Sequence, residues 1–154
     1  MQPWFIAAAL LLGISPALAQ HQHTMVTLNQ DEVSWKAAPP VLPKGAEMAI
    51  LYGDPTKEGV FVMRLKFPAN YKVQPHTHPV DEIVTVISGD FNIGAGHQFD
   101  PTKTKAILQG GVIAMSPGMQ HFVHTTQGTV VQISTRGPWT LNYVNAADDP
   151  RKSQ

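Results

Sequence analysis

Short apolar runs, each closed by a turn bearing proline, glycine or asparagine, recur along most of the chain. The clearest is Val60-Phe61-Val62-Met63-Arg64-Leu65-Lys66-Phe67, whose second half alternates. Arg64 and Lys66 fall on one face, and Met63, Leu65 and Phe67 on the other. A period of two is that of a half-buried strand. A run over 47–52 precedes it and ends at Gly53-Asp54-Pro55; Pro68-Ala69-Asn70 terminates it. Next come the runs 83–87 and 91–94, joined by Ser88-Gly89-Asp90, which reads as a hairpin turn. Further apolar runs lie at 106–108, 112–115, 129–134 and 139–144, with His121-Phe122-Val123-His124 between the second and third. Residues 24–35 alternate in part and predict an edge strand. Asp100-Pro101 is good helix-capping chemistry, so a short helix is expected there. Ala37-Ala38-Pro39-Pro40-Val41-Leu42-Pro43-Lys44-Gly45 suits neither a central strand nor a helix and reads as an extended arm lying on the domain. Many short strands at turn-punctuated spacing predict an all-β sandwich or barrel.

Composition narrows the function. The 154 residues suit one domain, and 43% hydrophobic content supports a real core. Eleven basic residues balance eleven acidic ones, which leaves no electrostatic footprint for nucleic acid or an anionic membrane. Cysteine is absent, so disulfides, thiolate ligands and a cysteine nucleophile are excluded.

The N-terminus has the form of an export signal. Phe5-Ile6-Ala7-Ala8-Ala9-Leu10-Leu11-Leu12-Gly13-Ile14 is too short for a bilayer span and is followed by Ala17-Leu18-Ala19, a cleavage pattern. The competing reading is an uncleaved anchor or a buried N-terminal helix, since Met1-Gln2-Pro3-Trp4 carries no basic side chain. The organisation expected is a signal peptide over 1–19, an N-terminal arm over 20–44, a β-domain over 45–146 and a charged, frayed tail over 147–154. Without twin arginines the Sec-type route is expected, which implies a periplasmic or secreted protein with no membrane attachment after cleavage. His21 and His23 would then lie near a new N-terminus, as a copper-chelating end or, more plainly, as a solvated one.

The chemistry gathers in His76-Thr77-His78-Pro79-Val80-Asp81-Glu82. On a strand His76 and His78 share a face, and Glu82 has the same parity once the chain has turned through Pro79. Two imidazoles and a carboxylate from one short segment make most of a metal site, and His121 is the natural fourth ligand. Pro75 and Pro79 stiffen the segment, which lowers the entropy lost in fixing both rings. His121 follows Ser116-Pro117-Gly118, where proline then glycine suits a type II turn with Gly118 at positive φ.

These two stretches resemble the paired motifs of the cupin superfamily. The first motif is met by His76, His78, Glu82 and Gly89, with Asn70 where glycine is usual; asparagine tolerates the left-handed region next best. The second is met by Gly110, Gly118 and His121, with the proline shifted to Pro117 and Thr125 in place of asparagine. The texture around Gly137-Pro138-Trp139 is similar to that of small, single-domain exported cupin proteins. The resemblance implies a small antiparallel jelly-roll β-barrel with one divalent metal inside, held by His76, His78, Glu82 and His121. Mn, Fe, Ni, Zn and Cu all suit such a set, and vacant positions permit Lewis-acid chemistry, oxygen activation or plain ligand binding.

Other candidates weigh less. His124 has the opposite parity to His121 and should point away from it. His97 belongs to a loop, and Asp81 to the surface or the surroundings of the metal. Met63, Met115 and Met119 read as packing. Val84, Val86, Phe91, Val112 and Val123 are expected pocket walls, and Arg64 is expected to face water. Tyr71 and Tyr143 are the available acid–base groups off the metal. Three functions follow: an enzyme of oxygenase or isomerase type acting on a small organic molecule; a non-catalytic small-ligand or metal-binding protein; and an interaction module, with a homodimer through the barrel faces left open.

Overall fold

The computed structural model describes residues 25–152, so the expected signal peptide and both His21 and His23 lie outside the described residues. The strands are β1 (Lys36–Ala37), β2 (Glu47–Tyr52), β3 (Gly59–Phe67), β4 (Lys72–Thr77), β5 (Glu82–Ser88), β6 (Asp90–Ala95), β7 (Lys105–Leu108), β8 (Val112–Met115), β9 (His121–His124), β10 (Thr129–Gly137) and β11 (Asn142–Tyr143). They form a six-stranded sheet in the order β1-β2-β3-β10-β5-β8 and a five-stranded sheet in the order β11-β4-β9-β6-β7. Neighbours pair antiparallel throughout.

The alternation read in the sequence is the alternation of burial. Phe61, Met63, Leu65 and Phe67 of β3 are buried, as are Val131 and Ile133 of β10 and Val84 and Val86 of β5. They face Val73, Phe91 and Val123 of the other sheet in one core. Arg64, on the outer face, donates its Nε–H to Gln132 at 3.2 Å. The architecture is the expected all-β jelly roll, but the closed barrel is corrected to two facing sheets. Each sheet ends in strands of two or four residues, too short to carry hydrogen bonding around the molecule.

Three local expectations are revised. The runs 83–87 and 91–94 form no hairpin, because β5 pairs with β10 and β8 while β6 pairs with β9 and β7. The connection at Gly89 crosses between sheets. Its φ is +81°, and a Cβ there would meet the Gly128 carbonyl at 2.5 Å. The described part of the 24–35 run, residues 25–35, supplies no strand; Gln30–Glu32 is a 3-10 turn in which the Asn29 N–H donates to the Glu32 carboxylate. Such local bonding competes with a ladder, and pairing begins later, at β1. In the last apolar run only Asn142–Tyr143 pairs as strand.

Other features stand as read. Asn70 has φ +59°. Asp100 caps the short Pro101–Lys103 3-10 helix by accepting from the Thr102 N–H at 3.0 Å. The arm lies against the domain and buries Leu42, with Tyr143 donating to the Val41 carbonyl at 2.8 Å and Tyr71 to that of Pro43. The tail, expected to be frayed, differs in its described part, where it runs through two 3-10 turns, Ala146–Asp148 and Pro150–Lys152.

Asp90 fixes the crossover at Gly89. Its carboxylate accepts from the Thr126 hydroxyl at 2.9 Å, from the Thr126 and Gln127 N–H groups at 3.2 Å, and from the Asn92 amide. Burial opposes its ionisation, but these bonds outweigh that and hold its pKa below the usual 3.8. Folding therefore favours the ionised form, and the stabilisation is present above the unfolded value and lost as pH falls through the folded one. Asp90→Asn is expected to cost about 1–3 kcal/mol at neutral pH. The gap to wild type should close on acidification below pH 4, as read from thermal melts across pH.

Candidate metal centre

Two elements of one sheet and one of the other bring the cluster together. His76 on β4 and His121 on β9 are direct cross-strand partners. His78 lies just beyond β4, and Glu82 opens β5 on the opposite sheet. The linking segment is anchored by the Gly118 N–H, which donates to the His78 carbonyl at 2.9 Å. Gly118 has φ +76°, and Met119 N–H bonds back to the Ser116 carbonyl at 3.2 Å. This is the geometry expected of the Ser-Pro-Gly turn, and it delivers His121 two residues later.

The four side chains are 2–4% exposed. One ring nitrogen of each histidine lies within 4.8 Å of the others. Glu82 Oε2 is 3.2 Å from His78 Nε2 and 3.9 Å from His121 Nε2. The ring orientations are set by the backbone: His76 Nδ1 meets the Gln74 carbonyl at 2.7 Å, His78 Nδ1 the Thr140 carbonyl at 2.8 Å, and His121 Nδ1 the Met119 carbonyl at 3.1 Å. A carbonyl only accepts, so each Nδ1 carries hydrogen, and each ring in its neutral form presents Nε2 as a lone pair. His78 Nε2 and the Glu82 carboxylate are then two acceptors face to face, an arrangement that calls for a proton or a cation between them.

Burial, together with repulsion from the His121 and His78 rings, holds the His76 pKa well below 6.5 against the bond to Gln74. Burial likewise lowers that of His121, although Met119 and Glu82 pull the other way. Neutral imidazole is the form that binds a metal. Three such nitrogens and one carboxylate oxygen match the donor chemistry of a divalent transition ion.

Trp139 completes the surroundings, and no spacing rule in the sequence pointed to it. Its indole N–H donates to Glu82 Oε1 at 3.0 Å, and its ring stacks on His78 with centroids 5.1 Å apart and planes 15° from parallel. Oε1 is thereby engaged, and Oε2 is the oxygen turned to the histidines.

The other candidates fall as follows. His124 points outward, with Nε2 3.3 Å from the Thr104 hydroxyl, and His97 and Asp81 are exposed. Met63 and Met115 pack in the core, while Met119 is 43% exposed. Val84, Phe91 and Val123 line the cavity beside the cluster. Val86 is buried but lies outside that lining, and Val112 is 60% exposed. Val112 pairs with Thr85, whereas its neighbour Ile113 pairs with the inward Val84; in a two-residue period, one step reverses the face. Tyr71 and Tyr143 do not serve the site. Both hydroxyls are spent on the arm, and burial raises both pKa values, that of Tyr143 to about 12. Thr125 is structural: it accepts from the Tyr71 N–H at 3.2 Å and donates to the Pro68 carbonyl at 2.8 Å.

Similarity to known structures agrees with this fold. The structure superposes on a polyketide cyclase, RemF, from Streptomyces resistomycificus with a TM-score of 0.68 at 16% identity, over 84% of this chain and 92% of that one. A provisionally assigned acetylacetone dioxygenase from Methylibium petroleiphilum PM1 gives 0.64 at 17% identity, over 86% and 90%. An RmlC-like cupin from Shewanella frigidimarina NCIMB 400 gives 0.56 at 11% identity, over 73% and 91%. At such identities the likeness is one of fold, and the fold is that of the cupins. No curated protein matches the sequence. A family model described as a domain of unknown function, DUF4437, matches residues 8–142. With its cupin-like jelly-roll fold and its buried three-histidine, one-glutamate cluster, the chain belongs to the DUF4437 family.

Proposed function

We propose that His76, His78, Glu82 and His121 hold one divalent metal ion, and that the protein uses it on a small organic molecule, in chemistry of oxygenase or isomerase type. The observation that carries this reading is the set of three tautomer-fixed imidazoles turned, with Glu82 Oε2, toward one buried point. A bound ion of this kind supplies Lewis acidity and a position for an oxygen ligand. The chain's own part is to hold the donors and exclude water. Backbone carbonyls orient the rings, Trp139 keeps Glu82 turned by one oxygen, and the surrounding walls are apolar. Two neighbours of the same fold are named as a cyclase and, provisionally, as a dioxygenase, and the second name is of the oxygenase class proposed.

A second reading, a non-catalytic small-ligand or metal-binding protein, is favoured by one observation. The described cavity lining holds no acid or base beyond the four cluster residues. Oxygen uptake together with product analysis of small organic candidates separates the two: an oxygenated or an isomerised product supports the first reading, and binding with neither supports the second. We further propose export by a signal peptide over 1–19, with a periplasmic or secreted mature protein. The mature chain is then expected to begin at Gln20, as read by N-terminal sequencing of the protein from a periplasmic fraction.

Native protein is expected to carry about one metal per chain, with Zn or Cu prominent because tight binders compete for a site filled outside the cytoplasm. Elemental analysis giving only Mn or Fe would refute the second half of that statement. Glu82→Ala should drop the stoichiometry well below that of wild type while preserving the β-sheet circular dichroism. Trp139→Phe keeps the ring and removes the N–H bonded to Glu82. It should weaken metal binding by about ten- to hundred-fold in a chelator competition.

A further inference from the structure

The cavity beside the cluster has a one-sided chemistry. Apart from the four cluster residues and Trp139, whose N–H is committed to Glu82, its lining is aliphatic or phenyl, with Leu65, Val84, Phe91, Ile133 and Leu141 among the walls. Among the described residues its lining includes no lysine, arginine, hydroxyl or amide side chain. Outside the four cluster residues and Trp139, the described walls therefore offer a ligand no side-chain donor or acceptor. A polar group of the ligand aimed at these walls would be stripped of water and left unpaired.

One wall has a different origin. Leu42 comes from the N-terminal arm rather than from either sheet, and it is 5% exposed. Its loop is secured by the Leu42 N–H to the Pro39 carbonyl at 3.0 Å, and by the Tyr71 and Tyr143 hydroxyls on the carbonyls of Pro43 and Val41. The arm thus closes the cavity with a side chain whose size sets the room available. That room is small, a cavity of about 30 Å³.

We infer that the ligand of this site is a compact molecule with one oxygen-bearing end group at the His76–His78–Glu82–His121 cluster and an otherwise apolar body, and that Leu42 limits its length. This rests on the metal reading above. Multiply charged or polyhydroxylated molecules are disfavoured, because only one end meets polar partners. Leu42 is a specificity residue and is not one of the four clustered donors.

The test uses zinc-loaded full-length protein and calorimetric titration with acetate, butyrate, hexanoate and succinate. Butyrate and succinate have equal carbon number, but succinate carries a second carboxylate where butyrate has a methyl group. Butyrate is expected to bind at least about ten-fold more tightly, the lower end of the penalty for an unpaired buried polar group. Leu42→Ala should shift the preference toward hexanoate with zinc stoichiometry unchanged. Leu42→Val, a smaller change, guards against loss of fold and should shift it in the same direction. Equal binding of butyrate and succinate, a preference for succinate, no binding of any of the four, or an unmoved chain-length preference in both variants each overturns the inference. Failure of the wild type to take up zinc overturns instead the metal reading beneath it, and the two failures are measured separately.

Discussion

Everything at the centre of this protein depends on three backbone carbonyls. Gln74, Thr140 and Met119 each accept from the Nδ1 of one histidine. They thereby decide which nitrogen of His76, His78 and His121 remains basic and where it points. Two of the three bonds span only two residues, so the local strand geometry that presents the ring also orients it. The third joins His78 to Thr140 across the fold and makes the segment after β10 part of the site. With the rings fixed as acceptors beside a carboxylate, the cluster is electrostatically incomplete without a positive charge.

That incompleteness is tolerable because the rest of the fold is satisfied. The buried polar groups outside the cluster, chiefly Asp90, Asn92, Thr125 and Thr129, are bonded to one another or to turns. They fix the places where the chain changes sheets, which is where a jelly roll is least regular. The apolar walls exclude water, and exclusion makes both the attraction for a cation and the penalty for a misplaced polar group larger than they would be at the surface. A polar cluster in an apolar chamber is thus one device rather than two.

Much of this was legible. Burial in β3 follows the alternation of Met63, Arg64, Leu65, Lys66 and Phe67 because a strand's period is local. The positive φ of Asn70 and Gly118 follows from residue chemistry in short turns. His76, His78 and Glu82 could be associated because they lie within seven residues of one another, and His121 because a rigid turn precedes it. The misreadings share a different cause. The expected hairpin at Gly89 failed because a tight turn reports only that the chain reverses, and which strands then pair is decided by contacts distant in sequence. Val112 was assigned to the wall when the inward position was Ile113, since a run of consecutive apolar residues carries no parity of its own.

Trp139 marks the boundary most plainly. It lies 57 residues from Glu82 and 61 from His78, and neither composition nor spacing relates them. The sequence by itself determined most of the strands, the turn conformations and the clustered side chains, because those follow from side-chain chemistry within a few residues. Only the tertiary structure decided that the indole N–H would take one carboxylate oxygen, that Leu42 of a proline-rich arm would enter the cavity, and that two tyrosines would be spent on fastening that arm. Each of these joins elements from remote parts of the chain, and such contacts come into existence only when the two sheets pack.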